Sequence, residues 1–189
     1  MVKEIVLWGD PVLREKGKLV TEVTDKIRTL ADDMLETMRE AQGVGLAAQQ
    51  VGEALQLAVI DVSHDEECVS YVRLNGEPCE LEDIMPLVFV NPKLEMGSSK
   101  EVDSEGCLSF PELRIDVRRP LDVTAHLQLL DGEKVVIEAD GLLARAIQHE
   151  VDHLFGILFI DRLSTARKMS MRRRLKDLKR MYAEEAGWE

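Results

Sequence analysis

Cysteine is scarce in this chain: there are three in 189 residues, at 68, 79 and 107, an odd set unlike a secreted disulfide framework. Reduced thiols are therefore expected. Long apolar runs are also missing, because the longest clear one, Leu154 to Ile160, falls well short of the roughly 18 residues that signal a membrane span. The opening stretch, Met1 to Trp8, lacks the apolar core of a signal peptide. These absences lead us to expect a cytoplasmic protein without signal or transit peptide, and no membrane partner. There is no internal repeat and no low-complexity tract.

What is present suits one globular domain. The chain is 45% hydrophobic and long enough to bury a sizeable core. Net charge is −12, unevenly spread: residues 167 to 180 hold eight Lys or Arg against one Asp, a local +7, and the last nine residues carry −3. The first 166 residues therefore carry −16, an acidic body followed by a basic segment.

Thr24 is placed to cap a helix in which Ile27, Leu30, Ala31, Met34, Leu35 and Met38 recur at one-face spacing up to about Ala41. Gly43 to Gly52 is rich in small residues, neither helical nor alternating, and lets backbone approach a ligand closely. Leu55 to Val62 has strand length. Asn75-Gly76 predicts a two-residue hairpin turn in the acidic stretch from His64 to Pro86. In that register Cys79 faces Val72 and Cys68 faces Asp83, so the two thiols do not pair. His64 reads as a surface residue.

Further strands are expected at Leu87 to Asn91, closed by Pro92, and at Leu113 to Val117, Leu121 to Leu129 and Glu133 to Ala139. Asp131-Gly132 links the last two. His126 falls on the face opposite the apolar one and is not expected to ligate. Ile157 to Ile160 reads as a short extended piece. A second long helix, Thr165 to about Glu185, mixes a basic face with Met169, Leu175 and Leu178, which suggests that it also packs.

The chemistry concentrates in Gln148-His149-Glu150-Val151-Asp152-His153, an H-E-x-x-H pattern inside an apolar-periodic segment from Gly141 to Phe155. Residues four apart share a helix face, so His149 and His153 present two imidazoles to one point, where a borderline divalent metal binds well. Glu150 is badly placed to ligate and well placed to move a proton. A catalytic site of this kind takes a third protein ligand. No histidine follows His153, and the next glutamates, Glu184 and Glu185, lie beyond the basic helix. Cys107, after a glycine in a polar loop between predicted strands, is the strongest remaining donor.

Three ordered motifs, Gly43-Val44-Gly45-Leu46-Ala47-Ala48-Gln49-Gln50, Glu105-Gly106-Cys107-Leu108-Ser109 and Gln148 to His153, resemble those of the peptide deformylases. The resemblance runs from Ile5 to about Leu163. It implies an α+β fold: a single domain with small antiparallel sheets around a central H-E-x-x-H helix, plus a C-terminal helix. A catalytic part would span 1–164 and a basic helix and tail 165–189.

The implied function is metal-dependent removal of the formyl group from the N-terminal formyl-methionine of new bacterial or organellar proteins, releasing formate. Cys107, His149 and His153 would hold one divalent ion, Fe(II) in the cell, with Zn(II), Ni(II) or Co(II) as substitutes. Glu150 would move protons, and the Gln50 amide with the Leu108 backbone N–H would stabilise the oxyanion. Gln50 takes that role by register over its neighbour Gln49.

Val44, Gly45, Glu105, Gly106, Leu142 and Ala146 would meet the substrate. The methionine slot would be formed by Val44, Leu142, Ala146 and the face of His149. Arg145 sits near its rim, where the family more often has an apolar residue. The acidic hairpin around Asn75 looks longer than the common bacterial connection. Partners would be the nascent formylated peptide and the ribosome, through residues 167–180, and not DNA. The rivals are a zincin-like endopeptidase, which the missing downstream ligand disfavours, and a non-catalytic relative, which the intact motifs disfavour.

Overall fold

A computed structural model describes residues 1–64, 69 and 71–186. Among the described residues nine strands run in chain order: β1 (Gly45–Ala47), β2 (Leu57–Ile60), β3 (Val72–Leu74), β4 (Glu77–Pro78), β5 (Leu87–Met96), β6 (Lys100–Gly106), β7 (Arg114–Pro120), β8 (Asp122–Leu129) and β9 (Lys134–Asp140). Three α-helices are interleaved: α1 (Asp25–Glu40), α2 (Gly141–Leu154) and α3 (Thr165–Ala186). Seven strands form one antiparallel sheet in the order β1-β2-β5-β8-β9-β3-β4, and β6 and β7 form a separate pair. This is the expected α+β arrangement of antiparallel sheets around the histidine helix.

β2 shows why an unbroken apolar run was needed. Side chains alternate across a strand, and here both faces are covered: Leu57 and Val59 pack with Met34 and Met38 of α1, while Ala58 and Ile60 pack with Leu143 and Ile147 of α2. Helix α2 is more extreme still, because every residue from Leu143 to Leu154 is buried. The short hairpin keeps the expected register, with Leu74 opposite Glu77 and the Cys79 N–H donating to the Val72 carbonyl at 3.2 Å. Cys68 lies outside the described residues. Thr24 is at the N-cap of α1 as expected, although its side chain makes no capping hydrogen bond. His64 is exposed, and exposed His126 pairs with Glu95 at 2.9 Å.

Five expectations need correction. Pro92 does not close β5, which continues to Met96 between β2 and β8. The register shifts between Val90 and Lys93, so the proline's missing N–H falls at an irregularity. Asn91 adopts φ +53 there, and its side chain bonds both backbone groups of Val20, at 2.9 and 2.8 Å. β6 was not anticipated, since Lys100–Gly106 has no alternating apolar face and is mostly exposed. The segment from Gly43 to Gly52 holds both β1 and a 3-10 turn (Ala48–Val51), and Phe159–Arg162 is a 3-10 turn where an extended piece was expected. On α3, Leu175 and Leu178 pack as expected, but Met169 is 72% exposed, and Met171 and Tyr182, at 7% and 2%, are buried in its place.

Gly156 ends α2 with φ +71, and a Cβ there would collide with the carbonyl oxygen of Arg14. Strain and backbone overlap act together, so Gly156→Ala should lower unfolding free energy by about 2 kcal/mol in urea titrations. Gly132→Ala, at φ +95 in open space, should cost visibly less; equal losses would mean that the contact with Arg14 does not matter.

Candidate metal centre

Because α2 is buried on all sides, its polar residues must find partners inside the protein. His149 and His153 lie one turn apart, their rings 5.0 Å between centroids. The loop from β6 to β7 brings Cys107 against them, with Sγ 3.3 Å from His153 Nε2. One ligand atom from each of Cys107, His149 and His153 lies within 4.8 Å of the others, the one such group of possible ligands among the described residues. A thiol and two imidazoles converging at this range suit a borderline or soft divalent cation. His153 fits that use: burial foremost, with Arg119 and Arg14 nearby, holds it well below its ordinary pKa, so it is a neutral donor.

The other nitrogen of His149 is fixed by an ion network. Nδ1 lies 3.1 Å from Glu105 Oε2. Arg119 grips the same carboxylate with two bonds, at 2.6 and 2.9 Å, and Arg145 adds a third at 2.7 Å. Burial alone would raise the Glu105 carboxyl, but the bonds from His149 and Arg119 outweigh it and hold the group well below the usual carboxylate range. An ionised Glu105 keeps the Nδ1–H tautomer in place and turns Nε2 toward Cys107. Arg119 also reaches Asp152 at 2.8 Å, and Arg162 binds Asp152 from outside.

Gln50 and Gln49 separate cleanly. Gln50 Oε1 accepts from the Ala47 N–H at 2.9 Å, which turns its amide nitrogen toward Cys107 Sγ at 3.5 Å and Ser109 Oγ at 3.3 Å. Gln49 instead reaches the Glu15 carbonyl at 3.5 Å. Leu108 is the second residue of a turn closed by the Phe110 N–H on the Cys107 carbonyl, at 2.8 Å, so its own N–H takes no part in that turn. Glu150 packs so tightly against Gly45 that a Cβ there would overlap its carboxylate. The glycine therefore makes room for the acid. Burial pushes the Glu150 carboxyl up to about 7, against the pull of His149 and Arg119, and Oε2 receives no hydrogen bond from the described residues.

A cavity of about 760 Å³ opens onto these groups. Val44, Gly45, Glu105, Gly106, Leu142 and Ala146 all line it, together with Gln50, Cys107, Leu108, His149 and Glu150. Arg145 lines it too, but its guanidinium is committed to Glu105, the Val117 carbonyl at 3.2 Å and Glu101 at 3.3 Å. Both oxygens of Glu105 are engaged by Arg119, Arg145 and His149, so its carboxylate orients the His149 ring while the residue lines the cavity. The reading from sequence missed Arg119, although a signal existed: it takes the inward position after Ile115 and Val117 in alternating β7, where a charge must be paired. The walls from Ile5, Leu7, Phe110 and Leu113 were missed as well, being plain apolar residues far apart in sequence.

The polypeptide deformylase family model matches residues 2–169. The peptide deformylase of Methylacidiphilum infernorum is 48% identical over 180 residues, covering 95% of this chain and 94% of that one. Among solved structures, a peptide deformylase from Legionella pneumophila superposes with a TM-score of 0.77 at 36% identity, covering 97% and 98%. One from Synechococcus elongatus, in complex with actinonin, gives 0.74 at 37%, covering 99% and 89%. A match across nearly the whole chain, carried by relatives at this identity, means that the chain belongs to the polypeptide deformylase family.

Proposed function

We propose that this chain removes the N-formyl group of newly made peptides at the centre formed by Cys107, His149 and His153, with Glu150, Gln50 and Leu108 acting on the substrate. Family membership carries the reaction, and the convergence of one thiol and two imidazoles on the wall of an apolar cavity carries the residue assignment. Cys107, His149 and His153 would hold a divalent cation, which would supply Lewis-acid chemistry that makes water nucleophilic near neutral pH. Fe(II) is the cation we assign in the cell, with Zn(II), Ni(II) or Co(II) able to replace it, since thiolate and imidazole suit all four.

Glu150, buried and with one oxygen unbonded, takes the proton of the attacking water and returns it to the nitrogen as the C–N bond breaks. The Gln50 amide, already aimed by Ala47, and the Leu108 N–H donate to the carbonyl oxygen as it gains negative charge. Val44, Leu142 and Ala146 offer the methionine side chain an apolar wall that also excludes water. Formate and a free amino terminus leave. Among the described residues no helix is long and apolar enough to cross a membrane, and we assign the activity to the cytoplasm, where nascent chains are made.

For the basic helix we propose a ribosomal contact without a role for DNA. Arg173 and Arg180 form ion pairs only with Asp177 and Glu184 on α3 itself, and among the described residues no cation of residues 167–180 is ion-paired to the body. Arg172, Arg174 and Lys176 are exposed. Changing these three to Glu should weaken ribosome co-sedimentation most strongly at low salt while formate release from a formyl-Met peptide is retained. Salt-independent or unchanged sedimentation would leave the face without that partner.

Two substitutions test the centre. Glu150→Gln should keep its metal and lose about 10²-fold or more in turnover; a variant that lost metal yet regained full activity on reconstitution would make Glu150 a ligand. Cys107→Ser, assayed with anaerobic metal analysis, should retain metal poorly and shift metal preference, because a hydroxyl is a harder and weaker donor than a thiolate. Unaltered stoichiometry and preference would remove Cys107 from the ligand set.

A further inference from the structure

The loop from Cys107 to Leu113 carries a proposed metal ligand, an oxyanion donor and one wall of the cavity, yet little within it explains its shape. Its own backbone bonds are two, Phe110 N–H to the Cys107 carbonyl at 2.8 Å and Leu113 N–H to the Phe110 carbonyl at 3.1 Å. Glu112 sits in the left-handed region, at φ +59, which a residue with a Cβ does not favour. Something outside the loop must hold it.

Two aromatic residues from opposite ends of the chain meet that need. The Trp8 N–H donates to the Ser109 carbonyl at 2.9 Å, and its ring stacks on Phe110, with centroids 5.2 Å apart and planes 22° from parallel. Phe110 in turn meets Phe159 edge-on at 5.1 Å, and Phe159 lies 5.8 Å from the His149 ring. The Trp8 indole N–H donates to the Leu175 carbonyl of α3 at 3.1 Å. Seven residues further along α3, Tyr182 is 2% exposed and its hydroxyl donates to the Pro111 carbonyl at 3.0 Å. Helix α3 therefore grips the loop twice, directly through Tyr182 and through Trp8.

We infer that Trp8 and Tyr182 are positioning residues of the metal centre, which makes α3 a brace for the Cys107 loop. The inference rests on Cys107 being a ligand. Tyr182→Phe keeps the buried ring and removes only the hydroxyl, while Trp8→Phe keeps a ring on Phe110 and removes the donor to Leu175. In the zinc-loaded full chain, each should speed zinc release to a chromophoric chelator by about five-fold, the factor expected for one net hydrogen bond. Alkylation of Cys107 should accelerate by a similar factor.

Leu178→Ala is the control, since Leu178 packs in the same cluster but makes no hydrogen bond to the loop among the described residues. It should lower the melting temperature and leave zinc release unchanged. Unchanged release and alkylation in Tyr182→Phe, which decides alone should Trp8→Phe not fold, would overturn the inference. So would equal acceleration in Leu178→Ala, which would reduce α3 to a general contribution to stability. Equal alkylation of Cys107 in metal-free and zinc-loaded wild type is a separate result: it would remove the ligand assignment beneath both readings.

Discussion

The bidentate pair between Arg119 and Glu105 is the contact on which the centre depends. A helix that buries Arg145, Gln148, His149, Glu150, Asp152 and His153 places an unusual polar load in the interior. Uncompensated, each such group costs several kcal/mol. Arg119 answers much of this from β7, holding Glu105 on one side and Asp152 on the other, so the carboxylate that orients His149 is itself immobile. Breaking such a buried pair by removing one partner costs about 3–5 kcal/mol, whereas an exposed pair such as Arg173–Asp177 contributes little.

The network also explains how a two-stranded sheet with little apolar surface is kept in place. β6 is mostly exposed and offers α2 few apolar contacts, yet it must deliver Glu105, and directly after it Cys107, to the histidines. β7 holds it by backbone pairing along its whole length, and Ile115, Val117 and Arg119 turn inward from β7 to the core. Electrostatic bonds from Arg119 and Arg145 then set the position of Glu105 to within hydrogen-bond tolerance. Hydrophobic packing alone, being non-directional, does not set an imidazole's tautomer.

How much of this was legible followed the range of the signal. Helical spacing put His149, Glu150 and His153 on one element because four residues are one turn, and the Asn75-Gly76 turn set a strand register two residues away. Both are local facts of backbone geometry. β6 was illegible because its pairing partner supplies its stability, and Pro92 misled because a bulge, built with the help of distant Val20, absorbs it. Glu105 was singled out by motif, but its carboxylate's hold on His149 was not read from it. Its side chain's work depends on Arg119, fourteen residues on, and on Arg145, forty residues on.

The adjacent amides Gln49 and Gln50 show the remaining step from chain to chemistry. A 3-10 turn advances about 120° per residue, so neighbouring side chains leave it in quite different directions. Gln49 goes toward the Glu15 carbonyl. Gln50 goes toward Cys107, and the Ala47 N–H chooses which end of its amide faces the thiol. Identical side chains thus acquire different duties from backbone curvature alone. The same short turn continues from β1, whose Gly45 leaves space for Glu150. The room for Glu150 and the aim of the Gln50 amide are therefore set within one six-residue stretch, Gly45 to Gln50, against the helix that carries His149 and His153.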